Sequence, residues 1–249
     1  MAGATITGEH NTSLGHYSLH ALTSGARNTG SGSNALASTT SGSDNTSVGY
    51  NALGVNSTGN QNVSVGSYAL DANTTASYNT AIGYQAATAN TTGAQNTALG
   101  YYTLVSNTTG NNNTSIGSQS LAANTTASNN TAIGVQALNA NTTGSTCVAV
   151  GHQALYKNTD ASENTALGTY ALYENTTATK NTAVGLSALQ NNTTGGNNTA
   201  VGWRALDANT TAANNTAVGY DALGVNTTGT GNVAVGAYAL DANTTADSN

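Results

Sequence analysis

Apolar and polar positions along the chain follow one short pattern that returns every 17 residues. Glycine marks each return, at positions 15, 32, 49, 66, 83, 100, 117, 134, 151, 168, 185, 202, 219 and 236. Counted from this glycine as position zero, Thr or Val stands at minus 3, Val, Ile or Leu at minus 1, and an Ala-Leu pair at plus 3 and plus 4. An internal period of this size is typical of solenoids, whose stacked repeats share one continuous core. The pattern predicts fourteen stacked coils.

Positions minus 3 and minus 1 lie two residues apart, so they share one face of a strand. Val replaces Thr at minus 3 in some coils, as at Val63, which indicates that this face is buried, with Leu at plus 4 as a second apolar anchor. Gly and Asn, which tolerate positive φ, stand where the coil must bend. The pattern therefore predicts an all-β fold, a parallel β-solenoid or β-roll of about fourteen 17-residue coils. Its predicted core includes Val48, Ile82, Leu104, Ile133, Leu155, Val184, Leu206 and Val218.

Asparagine recurs at minus 4 in every coil but one, and at plus 7 from Asn56 to Asn243. Identical amides in stacked coils can hydrogen-bond to the copies above and below, so two structural ladders are predicted. The minus 4 ladder includes Asn62, Asn79, Asn96, Asn113, Asn130, Asn164, Asn181 and Asn198. Cys147 replaces Asn in one coil, which fits a desolvated position because free Cys behaves as a small buried hydrophobe. A reactive thiol is the alternative interpretation of Cys147.

Positions minus 2 and zero carry Ala or Ser and Gly almost without exception. We interpret the resulting flat strand face as one that packs closely against another sheet, which predicts a homo-oligomer, with a trimer as the specific expectation. A tight coil corner that excludes side chains is the alternative.

The unbroken register predicts a single β-solenoid domain over residues 1–249, with 1–10 as a partial first coil and 11–249 as the 17-residue repeats. Disordered low-complexity tracts do not keep their apolar positions in phase as this chain does. Four basic against ten acidic residues argue against nucleic acid as a partner. No apolar run is long enough for a membrane span, and no signal peptide is visible at the start.

Ionisable residues are too sparse and scattered to predict an enzyme. Asp71, Asp207 and Asp241 share position plus 5, but no two of them stand in adjacent coils. Calcium-binding β-rolls carry Asp in every turn, so no metal site and no cofactor are expected. His10, His16 and His20 lie close together in the first coil and could contact a metal, but we interpret them as part of a solvated, irregular end.

Aromatic residues collect at positions plus 1 and plus 2. Tyr and Trp on a rigid scaffold can stack on sugars or fill a protein interface. Tyr84, Tyr101, Trp203 and Tyr220 are therefore a candidate ligand edge for a cell-surface glycan. The alternative is that they shield the edge of the coil or an interchain seam.

The Asn-Thr-Ala-Val-Gly run at 181–185 resembles the Ser-Val-Ala-Ile-Gly type repeat in the heads of trimeric autotransporter adhesins. The runs Asn-Thr-Ala-Ile-Gly-Tyr-Gln-Ala at 79–86 and Asn-Thr-Ala-Leu-Gly-Tyr at 96–101 resemble repeat arrays in phage tail-fibre and related bacterial surface proteins. The resemblance covers about residues 11–249. It implies a left-handed parallel β-roll, usually of three chains side by side, that serves as a stalk or an adhesive head outside the cell or on a virion surface.

The function expected from these features is that of a non-enzymatic structural fibre protein whose main partner is itself, as a trimer or a head-to-tail filament. One alternative is an ice-binding β-solenoid, because Thr recurs at minus 3, plus 8 and plus 9. Against it, Thr at minus 3 pairs with an apolar residue at minus 1, so no Thr-x-Thr face is predicted. A glycan-binding adhesin that uses the Tyr and Trp edge is the other alternative.

Overall fold

A computed structural model describes residues 7–249, so most of the partial coil predicted for 1–10 lies outside the described residues. The chain divides into two compact units, Met1–Thr126 and Ala127–Asn249. Each is a parallel β-solenoid with one three-residue strand per 17-residue coil and, in the described part of the chain, no helix. The fold class is as predicted, whereas the single domain stays a prediction.

The first unit contains seven strands, and neighbouring strands within the unit pair in parallel. Identical positions face each other, so that Thr80 pairs with Thr97 and Ala81 with Ala98. The strands are β1 (Thr12–Leu14), β2 (Thr29–Ser31), β3 (Thr46–Val48), β4 (Val63–Val65), β5 (Thr80–Ile82), β6 (Thr97–Leu99) and β7 (Thr114–Ile116).

The second unit also contains seven strands in the same parallel register, with Thr182 opposite Thr199. Its strands are β8 (Thr131–Ile133), β9 (Val148–Val150), β10 (Thr165–Leu167), β11 (Thr182–Val184), β12 (Thr199–Val201), β13 (Thr216–Val218) and β14 (Val233–Val235).

The strand faces are reversed from the prediction. Ala or Ser at minus 2 points into the coil, as Ala98 does with no exposed surface, while Leu99 beside it is 43% exposed. The predicted core positions Val48, Ile82 and Val218 are exposed, and Ile133 and Val184 are only half-buried. The physical reason is space, because the narrow interior opposite the strand is already filled by larger side chains.

Leucine at plus 4 supplies those side chains, and Leu104, Leu155 and Leu206 have no exposed surface. The preceding Ala at plus 3 is buried as well, although neighbouring residues of a strand would point to opposite sides. The backbone explains this, because positions plus 2 and plus 4 have left-handed φ, as at Leu104 with φ 51°. Such a conformation costs a leucine about 1–2 kcal/mol, and here it turns two successive apolar side chains inward.

The flat face of minus 2 and zero was expected to pack against another sheet, and this expectation is wrong for minus 2, which is interior. At position zero the alternative interpretation is correct, because the glycine lies at a tight corner of the coil that excludes side chains. At Gly83, φ is 136° and an added Cβ would lie 2.3 Å from the carbonyl oxygen of Gly100 in the next coil. Successive coils therefore approach too closely at this corner for any side chain.

Two ladders of buried asparagines line the interior. At minus 4, the Asn62 backbone N–H donates to Oδ1 of Asn45 at 3.0 Å, and its Nδ2 donates to the Ala76 carbonyl at 2.9 Å. At plus 7, Nδ2 of Asn73 donates to Oδ1 of Asn56 at 3.1 Å. Buried amides cost free energy unless they are paired, and each ladder pairs them with the adjacent coil. The coils are thus bonded through their interiors as well as through the sheet.

All eight residues predicted at minus 4 are buried in their own unit, each between 0 and 2% exposed. These residues are Asn62, Asn79, Asn96, Asn113, Asn130, Asn164, Asn181 and Asn198.

Candidate functional surfaces

The outer strand face consists of the side chains at minus 3 and minus 1 and is the main unexpected surface. It presents a row of Thr or Val beside a row of Val, Ile or Leu in nearly every coil. Val48, Ile82, Leu99, Leu167 and Val218 are each between 36 and 43% exposed. No Asp, Glu, Lys or Arg occurs between minus 3 and plus 1 in any coil. Each unit therefore carries a regular, uncharged and largely aliphatic surface.

Charged side chains lie elsewhere on the coils, where some form ion pairs between adjacent coils. Nη2 of Arg27 lies 2.8 Å from Oδ2 of Asp44, and Nζ of Lys157 lies 2.7 Å from Oε2 of Glu174. In each pair the two residues are 17 apart and therefore occupy the same position of successive coils. The pKa of Asp44 is lowered by its hydrogen bond to Arg27. These pairs add contacts between coils outside the strand face.

The aromatic edge follows a simple geometric rule. Rings 17 residues apart stack nearly parallel, as Tyr84 on Tyr101 with an interplanar angle of 16° and Trp203 on Tyr220 with 18°. Rings 18 residues apart meet at steeper angles, as Tyr50 and Tyr68 do at 81°. The Tyr68 backbone N–H donates to the Tyr50 carbonyl at 2.9 Å, which places a plus 2 residue beside the plus 1 residue of the preceding coil.

The predicted ligand-edge residues are exposed, but their ring faces already have aromatic neighbours. Tyr84, Tyr101, Trp203 and Tyr220 are 37 to 52% exposed. The Arg204 guanidinium also lies 5.0 Å from the Trp203 ring centre. Sugar recognition by an aromatic platform uses an open ring face, and stacking between coils occupies part of that surface.

Threonines at plus 8 and plus 9 differ in their surroundings. The hydroxyl of Thr91 at plus 8 donates to the Thr108 carbonyl of the next coil at 3.0 Å. Thr92 at plus 9 is exposed. The plus 8 row thus strengthens coil stacking, and the plus 9 row faces outward.

Cys147 occupies its asparagine position as a fully buried thiol. Its backbone N–H donates to Oδ1 of Asn130 at 2.9 Å, and Sγ lies 3.4 Å from the Ala161 carbonyl oxygen. Burial raises the pKa of the thiol to about 11. Because the thiolate is the reactive form, these surroundings favour the structural interpretation of Cys147.

Among residues 7–249, no group of three His, Cys, Asp or Glu side chains is placed to hold a metal ion. His10 lines a cavity of about 430 Å³ in the first coil, together with Gly8, Asn11, Ser13, Ser18, Leu19 and Leu22. Within the same described range, no helix could cross a bilayer.

Comparisons of the chain with protein-family models, curated proteins and solved structures found no match. The outer strand face was missed from the sequence because its larger aliphatic residues resemble core residues. One available signal was the variation at minus 1 among Val, Ile and Leu, against the near-constant Leu at plus 4.

Proposed function

We propose that the chain is a non-enzymatic structural fibre protein that self-associates through its outer strand face. The observation that carries the proposal is the outward placement of the aliphatic residues at minus 1 on a surface without charged residues. Single exposed apolar residues are ordinary, whereas contiguous apolar surfaces mark interaction sites.

A second copy of the chain suits this face for two reasons. Parallel strands repeat at about 4.8 Å, and another array with the same repeat can place its side-chain rows between these rows. The face also lacks charge, so like-charge repulsion does not oppose contact between copies despite the net charge of −6. The location outside the cell or on a virion belongs to this proposal and is supported by the resemblance to fibre and adhesin repeats.

The test is the solution mass of the purified chain over a range of concentrations, combined with negative-stain electron microscopy. We expect oligomers or fibres for the native sequence and a smaller mass for an Ile82→Lys/Leu99→Lys variant, which buries two charges in the interface. Thr92→Lys/Thr109→Lys adds the same charge to exposed plus 9 positions of the same coils and serves as the control. A native chain that stays monomeric at every concentration would contradict the proposal.

Ice binding is the second candidate, because the structure places Thr at minus 3 on the outer face rather than inside. Methyl and hydroxyl groups then stand in regular rows beside the aliphatic row at minus 1. Val63, Val148 and Val233 interrupt the hydroxyl row at every fifth coil, which favours packing over water ordering. Inhibition of ice recrystallisation by the native chain, lost in Thr97→Lys and retained in Thr92→Lys, would support this function. No inhibition would reject it.

Glycan binding through the aromatic edge stays a prediction. The exposure of Tyr84, Tyr101, Trp203 and Tyr220 supports it, and the stacking of their rings on one another counts against it.

A further inference from the structure

Five tyrosines of the first unit form one continuous group across four successive coils. Tyr50, Tyr68, Tyr84, Tyr101 and Tyr102 are linked by ring contacts, with centroids between 4.4 and 6.4 Å apart. We call these five residues the tyrosine cluster.

Tyr84 is central to the tyrosine cluster. Its ring contacts Tyr68 in the preceding coil at 6.4 Å, and Tyr101 and Tyr102 in the following coil at 5.8 and 5.6 Å. Tyr84 and Tyr101 are neighbours in adjacent coils and stack at 16°, so a bond between carbons ortho to their hydroxyls requires the two exposed rings to rotate about their side-chain bonds. The exposed fractions of Tyr50, Tyr84 and Tyr101 are 45, 42 and 52%, which leaves these phenols open to a dissolved oxidant.

We propose that the tyrosine cluster is a site of oxidative crosslinking, at which a carbon–carbon bond joins tyrosines of adjacent coils, chiefly Tyr84 and Tyr101. The co-reactants are hydrogen peroxide and a haem peroxidase that removes electrons from exposed phenols. The chain has one cysteine and so cannot form an intrachain disulfide. A dityrosine bond would supply a covalent link between coils by a different chemistry.

Each of two tyrosines loses one electron and its hydroxyl proton, and the two radicals join through ring carbons ortho to the oxygens. The hydrogen on each joined carbon then moves to its phenol oxygen, which restores both aromatic rings. In total two electrons and two protons pass to one peroxide molecule, which becomes two molecules of water.

The backbone holds these rings in place before oxidation. The Tyr102 N–H donates to the Tyr84 carbonyl at 3.1 Å, and the Tyr68 N–H donates to the Tyr50 carbonyl at 2.9 Å. Preorganised reactants within one molecule react at high effective concentration. Coupling within one chain should therefore exceed coupling between chains in dilute solution.

The experiment treats the full chain at low concentration with peroxide and horseradish peroxidase. Dityrosine fluorescence, the intact mass and crosslinked peptides from digestion are then measured. We expect a single-chain product that has lost two hydrogens, with Tyr84 joined mainly to Tyr101. Tyr84→Phe should reduce the crosslinks between these two coils at least several-fold.

Tyr78→Phe is the matched control. Tyr78 is 59% exposed, more than any member of the cluster, and it makes no ring contact in the described structure. Its loss should leave the yield unchanged, and circular dichroism of both variants checks that they remain folded. Crosslinks only between chains, or an equal loss of yield in the two variants, would overturn the proposal. The same product from a monomeric chain would uphold it even if the proposed self-association failed.

Discussion

The inner and outer sides of one strand carry side chains of different size. In β6, Ala98 is completely buried and Leu99 beside it is 43% exposed. The inner side accepts only small side chains because Leu104 and the asparagine ladders fill the coil. The outer side accepts Val, Ile, Leu or Thr without altering the stack. Available space, rather than hydrophobicity alone, decides which residue points inward.

The largest effect is expected where coils touch most closely. Gly83→Ala would place Cβ 2.3 Å from a backbone oxygen at a φ of 136°, so the coil must distort. We expect a loss of more than about 4 kcal/mol in unfolding free energy, the range of severe single substitutions. Gly54→Ala is the control, because Gly54 has no such φ and other coils carry Ala at this position. Equal denaturant midpoints for the two variants would show that the corner is not tight.

Leucine truncation compares the two sides directly. Leu104→Ala should lower the unfolding free energy by about 2–5 kcal/mol, because it leaves a cavity in the core. Leu99→Ala should cost less than about 1 kcal/mol in the monomer, because Leu99 is already 43% exposed and leaves no enclosed cavity. Chemical denaturation of both variants at low concentration measures the difference. Similar losses of unfolding free energy in the two variants would mean that the leucine at plus 4 does not fill the interior of the coil.

The asparagine ladder gives the next effect. In Asn96→Leu, the Asn113 backbone N–H loses the Asn96 oxygen that accepts it at 3.0 Å. The Gly110 carbonyl loses one donor at 2.9 Å and keeps Nδ2 of Asn107 at 3.0 Å. Loss of the partner of a buried polar group costs about 1–3 kcal/mol, so the melting temperature should fall clearly. Asn191→Leu, at an exposed position, should change it little. A neutral Asn96→Leu would indicate that the ladder does not stabilise the stack.

Cys147→Asn should restore the ladder and raise the unfolding free energy by about 1 kcal/mol, the value of one added hydrogen bond. In the native chain the raised thiol pKa also predicts a pH effect. The folded state disfavours the thiolate, so the unfolded thiol ionises first and stability falls as pH rises from 9.0 to about 11. Comparison of denaturant midpoints across this range, with Cys147→Asn as reference, isolates that contribution from tyrosine ionisation. The same pH slope in both proteins would contradict it.

The smallest effect on stability is expected on the outer surface of the coil, at Asp44. Its pKa is lowered by Arg27, so its contribution is present above the unfolded pKa and is lost as pH falls through the folded pKa. Asp44→Asn should weaken the acid dependence slightly, since both groups are solvated and salt screens the pair. Melting curves at several acidic pH values provide the measurement. A large change would mean that Asp44 has a structural role beyond this ion pair.

Sequence reasoning could predict the coil length, the parallel register and the ladder positions because identical residues return every 17 positions. It could not assign Val48 and Ile82 to the correct side, because alternation identifies two faces without saying which is inside. The sequence also gives no indication of the left-handed φ at plus 4, since leucine rarely adopts it. The edge aromatics were found, but their stacking depended on coil geometry.

In each strand from β2 to β14, minus 2 faces inward and minus 1 faces outward, as Ala98 and Leu99 do in β6. Thermal unfolding of Ala98→Lys and Leu99→Lys, followed by circular dichroism, tests this arrangement most directly because the two changes are adjacent in β6. We expect Leu99→Lys to fold and to melt cooperatively near the native temperature, whereas Ala98→Lys should fail to fold. A folded Ala98→Lys together with an unfolded Leu99→Lys would contradict the assignment and the proposed association surface.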